Sequence, residues 1–276
     1  MLYRKIRSYI DDHFRSNEDK ILLIEGARQI GKSYIIRDVG TELYDNYVEI
    51  NFVEDDAGDK IFRNVRTTEE FYLNLSMVAG FKLDKYENTL VFIDEIQHYP
   101  QFLTMLKFLR QEHRYRFICS GSLLGIALKK TVSVPVGSII PKKMYQLDFE
   151  EFLIANDFGE DAIAHLRKSF EQKQPLAPEV HDKVLSLFKR YLLVGGMPDA
   201  VNEYLNSHNI VKVREAQESI RELYGVDASR YEEDAAKKLY IRRIYDMIPS
   251  QMENKKKRIV AKDIFCLLYT SPSPRD

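Results

Sequence analysis

The sequence predicts an α/β fold in which helices flank a five-stranded parallel sheet, with a purely helical region after it. Three features predict this fold. Short apolar runs alternate with segments of helical periodicity through the first half of the chain, as strands and crossover helices do in layered α/β proteins. A glycine-containing loop joins the first apolar run to the first helical segment after it. Beyond residue 148 the strand patterns stop and helical patterns dominate.

Each of the five apolar runs has the length of a buried parallel strand. The predicted strands cover residues 21–25, 47–52, 89–94, 116–120 and 144–147. The helical spacing of apolar residues predicts an N-terminal helix and further helices at residues 32–44, 68–78 and 102–111. The later helices are predicted at residues 149–155, 160–173, 179–193, 200–206, 211–224 and 234–247.

Composition disfavours several classes of protein. The net charge of −1 indicates neither a basic field over the whole molecule, as nucleic acid would favour, nor a disordered acidic chain. No apolar run reaches the ~18 residues of a membrane span, and the N-terminus lacks the apolar centre of a secretion signal. Cys119 and Cys266 alone do not make a disulfide framework. We therefore expect a cytoplasmic protein with no membrane segment.

The loop after the first strand reads GARQIGKS at residues 26–33 and matches the phosphate-loop pattern G-x-x-x-x-G-K-[ST]. Its glycines permit a tight turn, its backbone N–H groups can surround phosphates, and its lysine adds a positive charge. An ordinary strand-to-helix turn is the alternative, which the buried strand before the loop and the helix after it disfavour. The predicted nucleotide-binding residues are Gly26, Ala27, Arg28, Gln29, Ile30, Gly31, Lys32, Ser33 and Tyr34.

Two acids, Asp94 and Glu95, stand at the end of the predicted third strand, at the sheet edge where open α/β sheets bind ligands. In P-loop NTPases such an acid holds Mg²⁺, so we assign Asp94 and Ser33 to Mg²⁺. Neighbouring residues of a strand point to opposite faces, so Glu95 can share this site only if the strand ends at Asp94. Glu95 is then expected to orient or deprotonate the attacking water, while Lys32 reaches the phosphates.

The predicted fourth strand ends in SGS at residues 120–122, at the same edge of the sheet. Ser120 or Ser122 is expected either to contact the γ-phosphate or the attacking water, or to cap a helix predicted at residues 123–128. The sequence leaves these alternatives open. The predicted catalytic residues are Lys32, Glu95 and Ser120.

Seven motifs together resemble prokaryotic AAA-type P-loop ATPases that carry a C-terminal domain of unknown function. In chain order they are GARQIGKS, VFIDEIQ, SGS, PVG, YQLDFEEFL, VGGMPDAV and IPSQ, and the resemblance extends over residues 3–265. It implies an AAA core at residues 1–155, followed at residues 156–265 by a helical lid and the start of a C-terminal domain. It also implies that the nucleotide is ATP, and that a winged-helix and nuclease-like region follows in such proteins.

The chain departs from this family pattern in one respect. AAA-type ATPases often use an arginine of a neighbouring subunit that lies between the fourth and fifth strands, but no arginine occurs between Gly121 and Tyr145. The sequence leaves open whether the chain forms a homo-oligomer. It puts activation by a neighbouring subunit of a ring in doubt, because the lysines of this segment lack the planar fork of arginine. Arg28 is an alternative source of positive charge in the same chain. Arg190 is either a sensor in the lid or an ordinary surface residue.

The paired motifs indicate ATP binding and Mg²⁺-dependent ATP hydrolysis, coupled to a DNA-related or regulatory C-terminal module. Two alternatives stay open, namely a slow nucleotide-dependent switch without significant turnover and a P-loop kinase for a small metabolite. The basic run at residues 255–258 either contacts nucleic acid or is a solvated surface.

The segment CLLYTSPSPRD at residues 266–276 resembles the translation of an adapter used in sequencing libraries. We expect an artefactual tail there, with the natural protein continuing past Phe265. A genuine flexible tail rich in serine and proline is the alternative.

Overall fold

A computed structural model describes residues 2–16, 18–83, 88–122, 137–229, 232 and 234–253. Five parallel strands form one sheet in the order β2-β3-β4-β1-β5, which confirms the predicted fold class. The strands are β1 (Ile21–Glu25), β2 (Asn46–Asn51), β3 (Thr89–Asp94), β4 (Arg116–Gly121) and β5 (Ile139–Lys143). The helix predicted at residues 123–128, the basic run at 255–258 and the tail at 266–276 lie outside the described residues.

Helices flank the sheet and continue after it. They are α1 (Lys5–Arg15), α2 (Lys32–Leu43), α3 (Phe52–Ala57), α4 (Thr68–Ala79), α5 (Gln101–Glu112), α6 (Phe149–Ala155), α7 (Glu160–Glu171), α8 (Pro178–Val194), α9 (Pro198–Ser207), α10 (Ile210–Ser229) and α11 (Ala235–Glu253). All helices predicted within the described residues are present, and the last two extend beyond their predicted ends. The short helix α3 has no counterpart among the predictions; the Asn51 side chain caps it by accepting hydrogen bonds from two backbone N–H groups.

The strand predicted at residues 144–147 is wrong, because the fifth strand is Ile139–Lys143. This strand lies at the edge of the sheet and pairs with β1, with Ile139 opposite Ile21. Its sequence IIPKK contains Pro141 and two lysines, which edge strands tolerate and which obscure the apolar pattern of a strand. The chain stays close to β1 just beyond this strand, since the Met144 N–H donates to the Glu25 carbonyl at 2.7 Å.

Alternate strand residues pack into two apolar clusters on opposite faces of the sheet. One cluster joins strand residues such as Ile93 to the aromatic rings of Phe71 and Phe102 in α4 and α5. The other joins strand residues such as Phe92 to α1 and α2, through side chains that include Ile36. Because α2 begins at the end of the phosphate-loop motif, this second cluster fixes the helix on which that loop is built.

A third apolar cluster holds the helices that follow the sheet, with Phe152 of α6, Val194 of α8 and Val201 of α9 among its members. Met197 packs against both this cluster and the one under α1 and α2. The segment that contains the GGMP motif therefore joins the helical region to the sheet.

The chain divides into two compact units, one through Val213 and one from Arg214 onward. In the second unit the Tyr245 hydroxyl donates to the Arg221 carbonyl at 2.9 Å and thereby links α11 to α10. The domain boundaries at residues 155 and 265 stay a prediction. Among the helices that the structure describes, none has the length and apolar character that crossing a membrane requires.

Gly196 is the point of closest approach between the helical region and the segment after β5. Its carbonyl accepts a hydrogen bond from the Leu147 N–H at 2.7 Å. A Cβ atom at position 196 would lie 2.1 Å from the Leu147 carbonyl oxygen, so only glycine fits without a backbone shift.

We therefore expect Gly196→Ala to lower the free energy of unfolding by about 1–3 kcal/mol, because no rotamer change can relieve a clash with backbone. Gly137→Ala is the matched control, since no atom lies within 4 Å of the Cβ position there. Its effect should stay below about 0.5 kcal/mol. Denaturant unfolding measures both changes, and equal losses in the two variants would contradict this account of Gly196.

Candidate active site

The candidate site lies at the carboxyl ends of β1, β3 and β4, which are neighbours in the sheet. The loop after β1 needs both of its glycines. Gly31 has a φ of 91°, a left-handed conformation that favours glycine, and it directly precedes α2. A Cβ atom at Gly26 would lie 2.4 Å from the Met144 carbonyl oxygen. The loop is therefore pressed against the backbone just beyond β5.

Lys32 lies at the start of α2, and its side chain turns back into the loop. Lys32 is only 5% exposed, and its Nζ donates to the carbonyl oxygens of Ala27 at 2.8 Å and Gly26 at 3.1 Å. Burial lowers the pKa of Lys32, although the nearby carboxylates of Glu95 and Asp94 act in the opposite direction. The ammonium group is thus held inside the loop, next to the two acids.

The carboxylate of Asp94 joins three elements at the bottom of the site. Its Oδ2 accepts a hydrogen bond from Ser33 Oγ of α2 at 2.8 Å, and its Oδ1 accepts one from Ser120 Oγ of β4. Oδ1 also accepts the Glu95 N–H at 3.0 Å. Burial raises the pKa of Asp94, and the hydrogen bonds from Ser120 and Ser33 oppose that rise.

Ser33 and Asp94 are the residues assigned to Mg²⁺, and the structure brings them together. A hydroxyl oxygen and a carboxylate oxygen are ligands that Mg²⁺ prefers, so this pair fits the ion. Within the described part of the chain, no group of three or more His, Cys, Asp or Glu side chains could hold a metal ion. An ion at Ser33 and Asp94 would therefore complete its shell with phosphate oxygens and water, as Mg²⁺ commonly does.

Glu95 lies in the same site because β3 ends at Asp94. Glu95 has a φ of 52°, a left-handed conformation that ends the alternation of the strand. Its carboxylate accepts hydrogen bonds from Ser122 Oγ at 3.0 Å and from Gln97 Nε2. Burial would raise the pKa of Glu95, but the hydrogen bonds from Gln97 and Ser122 and the charge of Lys32 hold it below its usual value.

Sequence reasoning missed Gln97, which is 5% exposed and links Glu95 to the end of β4. Its Nε2 donates to Ser122 Oγ at 3.1 Å, and its Oε1 accepts the Ser122 N–H at 3.2 Å. The signal in the sequence is its position two residues after Glu95 in DEIQ. The two serines at the end of β4 thus have separate partners, since Ser120 contacts Asp94 and Ser122 contacts Glu95 and Gln97.

The remaining loop residues divide into two groups. Ile30 is 1% exposed, so its side chain belongs to the core and only its backbone can face a ligand. Gln29 and Tyr34 line a cavity of about 440 Å³ beside the loop, together with Gly31 and Pro198. Arg28 is half-buried, and its charge makes a minor contribution that lowers the pKa of Lys32 and of Glu95, behind burial and the other neighbours of each group.

Two other arginines, Arg190 and Arg4, lie in different surroundings. Arg190 is exposed on α8 and donates to the Tyr204 hydroxyl of α9 at 3.1 Å, so its contact joins two helices of the C-terminal part. Sequence reasoning missed Arg4, which is 4% exposed and donates from Nη1 to the Ile30 carbonyl of the loop at 2.7 Å. Arg4 has no local signal in the sequence, because its partners lie far along the chain.

The comparison with protein families agrees with this geometry. Residues 18–153 match the family model of the AAA domain, and residues 185–264 match that of a domain of unknown function, DUF8612. The chain therefore contains an AAA domain. The resemblance to AAA-type P-loop ATPases with a C-terminal domain of unknown function is thereby confirmed.

The chain is also similar to several solved structures, and the first of those named below shares its fold. The Walker-type ATPase PABY2304 of Pyrococcus abyssi is 16% identical, with a TM-score of 0.54 over 97% of this chain and 89% of that chain. DnaA from Aquifex aeolicus, bound to AMPPCP, is 13% identical, with a TM-score of 0.43 over 96% of this chain and 83% of that one. PCH-2 of C. elegans is 15% identical, with a TM-score of 0.42 over 77% and 69%. No curated protein matches the chain.

The hydrogen bond from Ser120 to the buried Asp94 carboxylate can be tested without a ligand. We expect Ser120→Ala to lower the free energy of unfolding by about 1–3 kcal/mol, because a buried charge loses a donor. In an Asp94→Asn background the same substitution should cost less, since a neutral amide depends less on that donor. Denaturant unfolding of the four proteins gives the coupling, and strictly additive effects would contradict the contact.

Proposed function

We propose that the AAA domain binds ATP together with Mg²⁺ and hydrolyses it. The observation that carries this proposal is the convergence of Lys32 and Ser33 of α2 with Asp94 and Glu95 at the end of β3, at one edge of the sheet. A cation, a hydroxyl and two carboxylates in this arrangement suit a phosphate chain with its metal and an attacking water. The fold alone would not support this proposal, because one fold serves many functions.

The phosphates would be bound by the loop. Backbone N–H groups at the start of α2 favour a negative charge, and the helix dipole adds to this. Lys32 Nζ now donates to two carbonyl oxygens of the loop, so the ammonium lies within reach of a phosphate that enters it. Ser33 and Asp94 would hold Mg²⁺, which when bound neutralises charge on the β- and γ-phosphates.

The cavity beside the loop is suited to the nucleoside. Its lining combines the apolar residues Leu2, Tyr34, Ile35 and Pro198 with polar and charged ones, among them Arg4 and Asp199. An aromatic or aliphatic wall with a polar group at the rim is typical of sites that take a planar base. Because Gly31 lines the same cavity, a base bound there would leave its phosphates facing the loop.

Glu95 is the residue that we expect to accept a proton from the attacking water. Its pKa lies below the usual value, so the carboxylate is ionised at neutral pH and can act as a base or orient water. Gln97 and Ser122 fix the side chain by hydrogen bonds. These two residues position Glu95, and they do not themselves need to contact the nucleotide.

We infer that the domain of unknown function responds to the nucleotide. Its family match begins at residue 185 and so includes Pro198. The Pro198 ring lies 4.0 Å from the Cβ position of Gly31 in the phosphate loop. We infer that binding or loss of nucleotide shifts this contact and is transmitted to α9, and from there to a DNA-related or regulatory partner.

Two substitutions test the proposal. Lys32→Ala should weaken ATP binding by about tenfold or more, because it removes a charged contact to phosphate. Glu95→Gln should keep binding and reduce turnover by about 10²–10⁴-fold, because an amide cannot accept a proton. Calorimetry with ATP and Mg²⁺ and steady-state phosphate release measure the two effects.

The matched control for these variants is Lys168→Ala, which removes an exposed lysine on α7 and should leave both quantities unchanged. The proposal would be overturned if Lys32→Ala and Glu95→Gln both release phosphate at the wild-type rate. Wild-type protein that neither binds nor hydrolyses ATP would overturn it as well.

A slow nucleotide-dependent switch is the second candidate function. It is favoured by the hydrogen bonds that engage Glu95 through Gln97 and Ser122, and by the lack of an arginine between Gly121 and Tyr145. A base held by two donors is less available to water, and no arginine in that segment could reach a neighbouring subunit.

Whether a neighbouring chain completes the site can be tested through the dependence of the rate on protein concentration. If no neighbouring chain completes the site, phosphate release per chain should be constant within about twofold across a hundredfold range of protein concentration, since no arginine finger worth 10³–10⁵-fold is supplied in trans. A stopped-flow phosphate assay with fixed saturating ATP measures this. A rate per chain that rises steeply with concentration would show that neighbours contribute.

A further inference from the structure

Arg4 lies buried against the outer side of the phosphate loop, in the segment just before α1. It makes contacts with three separate parts of the chain. Nη1 donates to the Ile30 carbonyl at 2.7 Å, Nη2 donates to the Tyr145 carbonyl, and Nε lies 3.4 Å from a carboxylate oxygen of Glu151. The side chains of Arg4 and Glu151 are only 5% and 6% exposed.

The ion pair with Glu151 explains the burial of the charge but not the direction of the guanidinium fork. A buried charge needs a partner, and Glu151 provides one. Glu151 is itself fixed, because it also accepts the backbone N–H groups of Lys5 and Asp148. The two terminal nitrogens of Arg4 are then free to bind backbone carbonyls, and one of these belongs to the loop.

The bond to the Ile30 carbonyl determines where the next N–H points. In a trans peptide the carbonyl and the N–H project in opposite directions. Holding the Ile30 carbonyl toward Arg4 on the outside therefore directs the Gly31 N–H toward the inside of the loop. Gly31 has a φ of 91° and, like any glycine, can adopt many other backbone angles, so this peptide would rotate readily without an external contact.

We propose that Arg4 is a positioning residue, which holds the Ile30–Gly31 peptide in the orientation that binds phosphate. The inference rests on the proposed function, since it assigns to the loop the binding of a nucleotide phosphate. Arg4 acts through the loop, and because it also lines the cavity beside the loop, faster hydrogen exchange of the loop without nucleotide is the readout that identifies positioning. The planar fork is required, because a lysine ammonium cannot bind two carbonyls and a carboxylate in this fixed geometry.

Three variants separate positioning from general stability. Arg4→Met removes all donors, and Arg4→Lys keeps the charge opposite Glu151 but loses the fork. Arg7→Met is the matched control, because Arg7 lies in the first turn of α1, close to Arg4 in the chain, and forms ion pairs with Asp38 and Glu42 of α2. Each variant is compared with wild type by calorimetry with ATP and Mg²⁺, by thermal unfolding, and by hydrogen exchange of residues 26–31 without nucleotide.

Arg4→Lys should weaken ATP binding by about tenfold and Arg4→Met by more, with faster exchange in the loop, because a charge-assisted hydrogen bond to the loop is lost. Arg7→Met should change ATP affinity by less than about threefold even if it lowers the unfolding temperature. If Arg4→Met does not fold, Arg4→Lys decides the outcome.

The inference is overturned if folded Arg4→Lys binds ATP within threefold of wild type, or if the Arg7 control weakens binding equally. A wild-type protein that does not bind ATP would overturn the proposed function and this inference with it. Normal wild-type binding combined with unaffected Arg4 variants would overturn the positioning role alone.

Discussion

The buried carboxylate of Asp94 is the interaction on which the site depends. It lies at the end of β3 and receives hydroxyl donors from α2 and from β4, so one charged group joins three elements. A buried charge without such donors would be costly, which means that these elements must keep their positions for the protein to fold. Burial raises the pKa of Asp94, and the hydrogen bonds from Ser120 and Ser33 oppose that rise. A cation at this carboxylate would act in the same direction as these donors, since it also favours the charged form.

The sequence was sufficient where local pattern decides structure. The strands β1 to β4 and the loop could be predicted, because these strands read as apolar runs and the loop needs glycine at two positions. The fifth strand, Ile139–Lys143, was predicted too late in the chain, at residues 144–147. An edge strand is exposed and tolerates Pro141 and lysines, so it does not read as an apolar run. Gln97 and Arg4 escaped prediction for a different reason. Their roles follow from tertiary contacts, and the partners of Arg4 lie 26 and 141 residues away.

The GGMP motif has a structural explanation as well as a functional one. Gly196 is required where the backbone passes against Leu147, and Met197 packs into two apolar clusters at once. These are packing requirements, and they would hold in a protein without any activity. The next residue, Pro198, lies against the phosphate loop. The same short segment therefore fixes the helical region on the sheet and brings it to the phosphate-loop motif.

The two hydrogen-bonded networks around the loop meet different requirements. Inside the site, Asp94 receives its donors from Ser33 of α2 and Ser120 of β4, and Glu95 receives its donors from Gln97 and Ser122. Outside it, Arg4 connects the loop to Glu151 and to the backbone at Tyr145, after the last strand. The loop is thus held from both sides, by Lys32 within and by Arg4 without. A nucleotide would replace the inner contacts of Lys32 and leave the outer contact in place. It follows that the outer contact can preserve the shape of the loop through each cycle of binding and release.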